Sequence, residues 1–237
     1  MSVTAVLLWY LVSTLAGWLC FPLTFRIFQN LPGKGYAFSR ILGLLLWGYA
    51  FWLLVSLGIL RNNLVGQWVA LALVAALALG AGMKDKFQTL RAFIRREWRL
   101  ILAVEGVFLF SFVGFAFFRG TSPAIRGTEK PMELAFLNAI LRSETFPPQD
   151  PWLSGYGISY YYFGYVLAAL LTRLTGTIST VAYNLAQALW FALIASGAYG
   201  LAADLLAHRR DVETTARPIP SWARLYIGFR VISMSLK

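Results

Sequence analysis

The sequence predicts an all-α fold: a polytopic membrane helix bundle of about six transmembrane helices, with an outer loop that carries an amphipathic surface helix. Three observations predict it. Apolar runs long enough to cross a bilayer recur along the chain, charged residues stand almost wholly between those runs, and one long polar segment, 119–165, interrupts them. With 59% hydrophobic, 16% aromatic and 13% charged residues, and a mean hydropathy of +0.64, the composition is far from that of a soluble globular domain. The net charge of +11 comes from basic residues that flank apolar spans. Anionic headgroups and the positive-inside rule account for them, so membrane lipid is the expected partner and nucleic acid is not. The expected location is the cell membrane, as a multi-pass protein.

A hydrocarbon core about 30 Å thick takes roughly 20 apolar residues as helix, because lipid offers backbone groups no other partner. Six stretches meet that need: about 3–25, 38–60, 64–82, 100–118, 158–175 and 181–207. Residues 1–25 lack a basic leader and outrun a signal-peptide core, so they predict a first spanning helix. Cys20, the one cysteine, lies within it and can form no intrachain disulfide. The first connection carries Arg26, Lys34 and Arg40 around a Pro32-Gly33 break. Arg61-Asn62-Asn63 forms a tight hairpin between the second and third spans.

The third connection, KDKFQTLRAFIRREWR, is strongly basic and predicts a cytoplasmic helix lying in the interface, with Phe87, Leu90, Phe93, Ile94 and Trp98 dipping into lipid. Placing the first and third connections inside puts the amino terminus and the 119–157 loop outside. Six spans then leave the basic end (Arg209, Arg210, Arg217, Arg224, Arg230 and Lys237) outside as well, against the rule. That conflict favours a chain that continues into further spans. Residues 1–99 read as an accessory three-helix module, 100–208 as the module carrying the site, and 209–237 as a polar basic tail. Glu105 is the one acid well inside a span. An intramembrane carboxylate is a functional hypothesis by default, but this one is near enough to the inner end to pair with Arg99. Ser196 and Gly200 read as small residues for close helix packing.

Any chemistry belongs in the outer loop. Arg119, Arg126, Lys130 and Arg142 face Glu129, Glu133, Glu144 and Asp150 there. A helix tolerant of Pro131 in its first turn runs until Pro147-Pro148. At helical spacing Met132, Phe136, Ala139 and Ser143 share a face, with Glu129, Glu133 and Glu144 clustered beside them. Glu129 and Glu133, one turn apart, can share a proton, a metal or one substrate hydroxyl. The prolines of FPPQDPW hold Asp150 and Trp152 in an extended, rigid turn. Tyr160, Tyr161 and Tyr162 follow, with Tyr165 one helical turn further, either as an interfacial aromatic belt or as the mouth of a groove for a sugar or lipid phosphate. Glu129 with Asp150 offers oxygen ligands suited to Mg²⁺ or Mn²⁺, though two carboxylates are too few to define a metal site. Lone His208 and Cys20 form no cluster with zinc-ligand spacing.

The segments GTEKPMELAFLNAILRS, PPQDPW and SYYYFG resemble a family of large prokaryotic multi-spanning proteins named after its YYY motif, over roughly residues 100–208. That family is similar in layout to GT-C glycosyltransferases, with a basic cytoplasmic segment, a span, and a large outer loop bearing an acidic motif and a surface helix. The resemblance implies that Glu129 stands where such enzymes keep the first-loop acid, and that Glu133 stands where Asp is expected at least as often. It further implies sugar transfer from a polyprenyl-phosphate donor, with Arg119, Arg126 or Lys130 steadying the departing phosphate. A non-catalytic membrane scaffold is the alternative reading. A transporter is the third, weakened by the scarcity of intramembrane ionisable groups.

Overall fold

The computed structural model describes residues 2–84 and 86–215. Eight helices follow one another: α1 (Val3–Ile27), α2 (Tyr36–Ser56), α3 (Leu64–Lys84), α4 (Lys86–Arg96), α5 (Trp98–Thr121), α6 (Lys130–Arg142), α7 (Phe163–Thr175) and α8 (Ser179–Thr215). Among the described residues the only β pairing is one isolated bridge, Gln149 with Gly157. Five helices, α1, α2, α3, α5 and α8, are long and apolar enough to cross a membrane. The fold is therefore the polytopic α-bundle that the sequence predicts, with one element fewer in the spanning set.

The element that changes role is the fifth apolar stretch. Only 13 residues of it, α7, are helical, which is about 20 Å at 1.5 Å per residue and short of a bilayer core. Both its ends are tied to the same end of the bundle. Tyr162, its N-cap, accepts a hydrogen bond from Trp52 Nε1 at 3.0 Å near the end of α2. At its other end Arg173 donates to Asn62 Oδ1 of the α2–α3 hairpin (2.6 Å) and to the Leu141 carbonyl at the end of α6 (2.8 Å). Gly176 in the left-handed region (φ 63°) then turns the chain, and Trp9 Nε1 donates to Thr177 at 3.1 Å. Thus α7 enters and leaves on one side.

This removes the conflict over orientation. Helix α8 starts at the Arg61 end, where Asn184 holds Arg119, and finishes at the opposite end, where Asp204 accepts from Gly33 N at 2.5 Å between α1 and α2. His208 and Arg209 thereby join Lys34, Arg95, Arg96 and Arg99 at one end. That clustering of basic residues opposite the α6–α7 end is the distribution the positive-inside rule describes for a cytoplasmic end. The basic tail expected from residue 209 continues α8 as far as Thr215, and its remainder lies outside the described residues.

One hydrophobic core runs through the bundle, from Trp9, Trp47, Phe51, Phe108 and Phe112 to Leu137, Leu170 and Leu189. Helix α1 crosses α2 at van der Waals distance because both are glycine there: a Cβ on Gly43 would sit 2.3 Å from the Ala16 carbonyl oxygen. Gly200 likewise faces Ala37, where a Cβ would stand 2.1 Å away. Helix α4 departs from expectation. Phe93 is buried against Phe21 and Phe25, with Leu90 and Ile94 packed beside it. Only Phe87 and Trp98 of the expected lipid-dipping set are exposed. The inner end of α1 covers that face before lipid can.

Glu105 also finds a different partner. Arg40 belongs to α2 and is buried, where the sequence placed it in a loop. Its Nη2 pairs with Glu105 Oε2 at 2.7 Å and with Thr14 at 2.9 Å, and its guanidinium lies 3.7 Å from the Phe108 ring centroid. Tyr36 and Tyr10 donate to the same carboxylate at 2.7 and 3.4 Å. Arg99, the partner expected from the sequence, instead lies over the Trp98 ring.

Candidate functional site

Helix α6 organises the outer surface. Its N-cap is Glu129, whose side chain makes no capping bond, and Pro131 sits in its first turn, where a missing N–H costs nothing. Phe136, Leu137, Ala139 and Ile140 are buried on the bundle. The helix stops at Ser143, which turns extended (ψ 135°). Consequently Glu144 lies past the helix and pairs with Arg61 at 3.2 Å, so it does not share the face of Glu129 and Glu133.

Glu133 points into the bundle top. Tyr165 of α7 donates to its Oε1 at 3.3 Å, and Tyr183 of α8 donates to its Oε2. Burial, and then the Glu133 carboxylate, raise the Tyr165 phenol above its ordinary value, so it remains a donor at neutral pH. These groups line a cavity of about 250 Å³ with Leu137, Tyr161, Gln187 and Trp190. Glu133 has no ion-pair partner among the described residues. The arrangement is a mostly apolar hollow holding one carboxylate whose charge is met by phenol hydroxyls alone.

The other expected site residues scatter around this hollow. Glu129 is exposed one turn away, close enough to Tyr160 to act on it electrostatically. Arg126 is exposed and Lys130 half-buried at the start of α6. Arg119 is buried, and its Nε and Nη2 both donate to Asn184 Oδ1 (2.9 and 2.5 Å), so it holds α5 against α8. Tyr160 and Tyr161 lie against each other, tilted by 31° with ring centroids 4.0 Å apart and their hydroxyls joined at 2.9 Å. That bond is the first cause raising the Tyr160 phenol. Tyr161 reaches the Glu133 cavity, whereas Tyr162 packs toward Trp52.

Asp150 and Trp152 lie elsewhere. The Asp150 carboxylate accepts from the backbone N–H of Trp152 (2.8 Å) and Leu153 (2.9 Å), which locks the proline-rich turn as its sequence predicts. Both residues line a second, open depression at the far end of α6. Asp150 and Glu133 therefore do not share one pocket. Among the described residues no group of three or more His, Cys, Asp or Glu side chains is gathered as a metal site.

Sequence reasoning placed Tyr165 with the tyrosine cluster but missed Tyr183, Gln187 and Trp190 as lining residues. A signal for those three exists. They stand at i, i+4 and i+7 on one face of α8, where polar side chains within an apolar span mark an inward face. The family model for an uncharacterized membrane protein family (DUF2298) matches residues 46–234. The chain belongs to that family. The match begins midway along α2 and takes in Glu105, Glu133 and every residue lining the cavity. Comparison with curated proteins and with solved structures finds no match.

Proposed function

We propose that this DUF2298 protein is a GT-C-like glycosyltransferase that moves a sugar from a polyprenyl-phosphate donor to an acceptor hydroxyl at the outer face of the membrane. The observation that carries the reading is Glu133, an outer-loop acid without a cationic partner, lining a hollow at the level where a lipid-linked headgroup would lie. In the proposed step Glu133 accepts the acceptor's proton. The freed oxygen bonds to the anomeric carbon with inversion, and the carbon–oxygen bond to phosphate breaks, its electron pair leaving with the polyprenyl phosphate. Arg126 and Lys130 are the cations near the start of α6 that would steady the charge growing on that phosphate. Glu129, exposed at the rim, is the second acid to test.

The experiment supplies polyprenyl-linked sugar to membranes bearing the protein and compares wild type, Glu133→Gln and Glu129→Gln. A loss of roughly 10²–10⁴-fold in Glu133→Gln is expected for a missing general base; unchanged transfer removes Glu133 from the chemistry. One observation favours a second reading, a non-catalytic scaffold. Both oxygens of Glu133 take tyrosine hydroxyls, as Asp150 takes its own backbone and Arg119 takes Asn184. A scaffold predicts that Glu133→Gln leaves function intact whereas Phe136→Ala, which hollows the docking face of α6, abolishes it.

A further inference from the structure

The depression at the end of α6 is built differently from the Glu133 hollow. It encloses about 600 Å³ and is lined by Arg142, Ser143, Gln149, Asp150, Trp152 and Ser154 among others, within the roughly 300–1,000 Å³ common for small-molecule sites. Its lining is polar, yet Trp152 stands at its edge 63% exposed. That ring is not loose: it packs edge-on to Phe136 at 5.7 Å and 78°, which leaves a face free.

The walls are fixed before any ligand arrives. Gln149 N donates to Ser143 Oγ (3.0 Å), Asp150 N to the Tyr156 carbonyl (2.8 Å), and Ile158 N to the Pro148 carbonyl (2.8 Å). Asn62 Nδ2 holds the Ser143 carbonyl from below at 2.6 Å. Binding there orders little, so little affinity is lost to conformational entropy.

Charge decides what fits. Glu144 is paired with Arg61, Asp150 Oδ1 accepts from two backbone N–H groups while its charge offsets a cation, and Arg142 is the one cation of the lining. Such a balance has no surplus cation to draw a phosphate or carboxylate polymer. What remains is an exposed aromatic face beside two neutral side chains that can donate and accept, Gln149 and Ser154. A pyranose ring has the matching chemistry, with an apolar C–H face to lie on an aromatic ring and hydroxyls that both donate and accept.

We propose that this depression binds an uncharged oligosaccharide on the outer face, with one sugar ring stacked on Trp152. Its role as acceptor subsite rests on the transferase reading above. Glycan binding as such does not. The bowl begins at Ala139, six residues along α6 from Glu133, or about 9 Å of helix rise. A chain held there would present its end toward the hollow.

The test uses detergent-solubilised protein and saturation-transfer NMR with four neutral probes: cellohexaose, maltohexaose, mannohexaose and chitohexaose. Heparin serves as the anionic comparison. At least one neutral probe is expected to bind saturably, with transfer strongest at ring C–H protons. Binding should weaken at least tenfold in Trp152→Ala, be largely kept in Trp152→Phe, and be unchanged in Glu133→Gln. The proposal is overturned by failure of all four probes, by equal binding to Trp152→Ala, or by preference for heparin. Binding kept in Glu133→Gln while no variant or wild type transfers sugar would leave the glycan site standing and remove the transferase.

Discussion

Glu105 and Glu133 are held by the same device and left in opposite states. Each carboxylate receives two tyrosine hydroxyls, Tyr36 and Tyr10 for Glu105 and Tyr165 and Tyr183 for Glu133. At Glu105 the Arg40 guanidinium closes the shell at 2.7 Å, itself sandwiched against Phe108. At Glu133 a cavity takes the place of the cation. A half-buried acid with a buried base is neutral as a pair and fastens three helices, α1, α2 and α5. An acid met only by phenols has no countercharge and keeps an open side. The difference separates an intramembrane pin from a candidate reacting group, which residue type and depth alone do not do.

The largest effect expected from breaking this contrast is at the pin. Arg40→Leu strands the Glu105 charge and is expected to cost about 3–5 kcal/mol, measured as unfolding in mixed detergent micelles. Adding Glu105→Leu should recover most of it; a silent Arg40→Leu would show that the two acids are not different in kind. Next, Tyr183→Phe removes one hydroxyl donor from Glu133 and should cost about 1.5–3 kcal/mol, the usual range for a hydrogen bond to a charged group. Glu133→Gln keeps a carbonyl acceptor for one tyrosine and turns an amide N–H donor toward the other's hydroxyl oxygen, and should change stability by about 1 kcal/mol or less. Glu105→Gln must exceed it in the same assay, because it leaves Arg40 unpaired. Smallest of all is Arg61→Ala. Its pair with Glu144 has side chains 75% and 79% exposed, and such pairs contribute about 0.2–1 kcal/mol.

Much of the outer site was legible in the sequence, and the errors have physical causes. The surface helix, its start near Glu129, its Phe136 and Ala139 face and the locked turn at Asp150 follow from proline geometry and helical period, both local properties. Glu144 was misplaced because periodicity was extended past Ser143, where the chain leaves the helix to reach Arg61. Motif position made Glu129 the leading acid, and the structure places it exposed, one turn from the hollow that Glu133 lines. Which of two acids one turn apart faces a hollow depends on where α7 and α8 stand, and local pattern carries no such information. Arg99 was assigned to Glu105 by nearness in sequence, while the cation that meets it comes from 65 residues away.

Taken alone, the sequence determined that this protein is a membrane bundle of helices, with its polar segment gathered on one face. Hydrophobic run length and charge placement are set residue by residue against a bilayer of known thickness. Only the tertiary structure decided that α7 stays at the Arg61 end of the bundle, that five helices among the described residues are long and apolar enough to cross a membrane, and that Glu133 faces a hollow with no cation paired to it. Each of those outcomes turns on contacts between helices distant in sequence. An apolar stretch reads the same whether lipid or a neighbouring helix buries it.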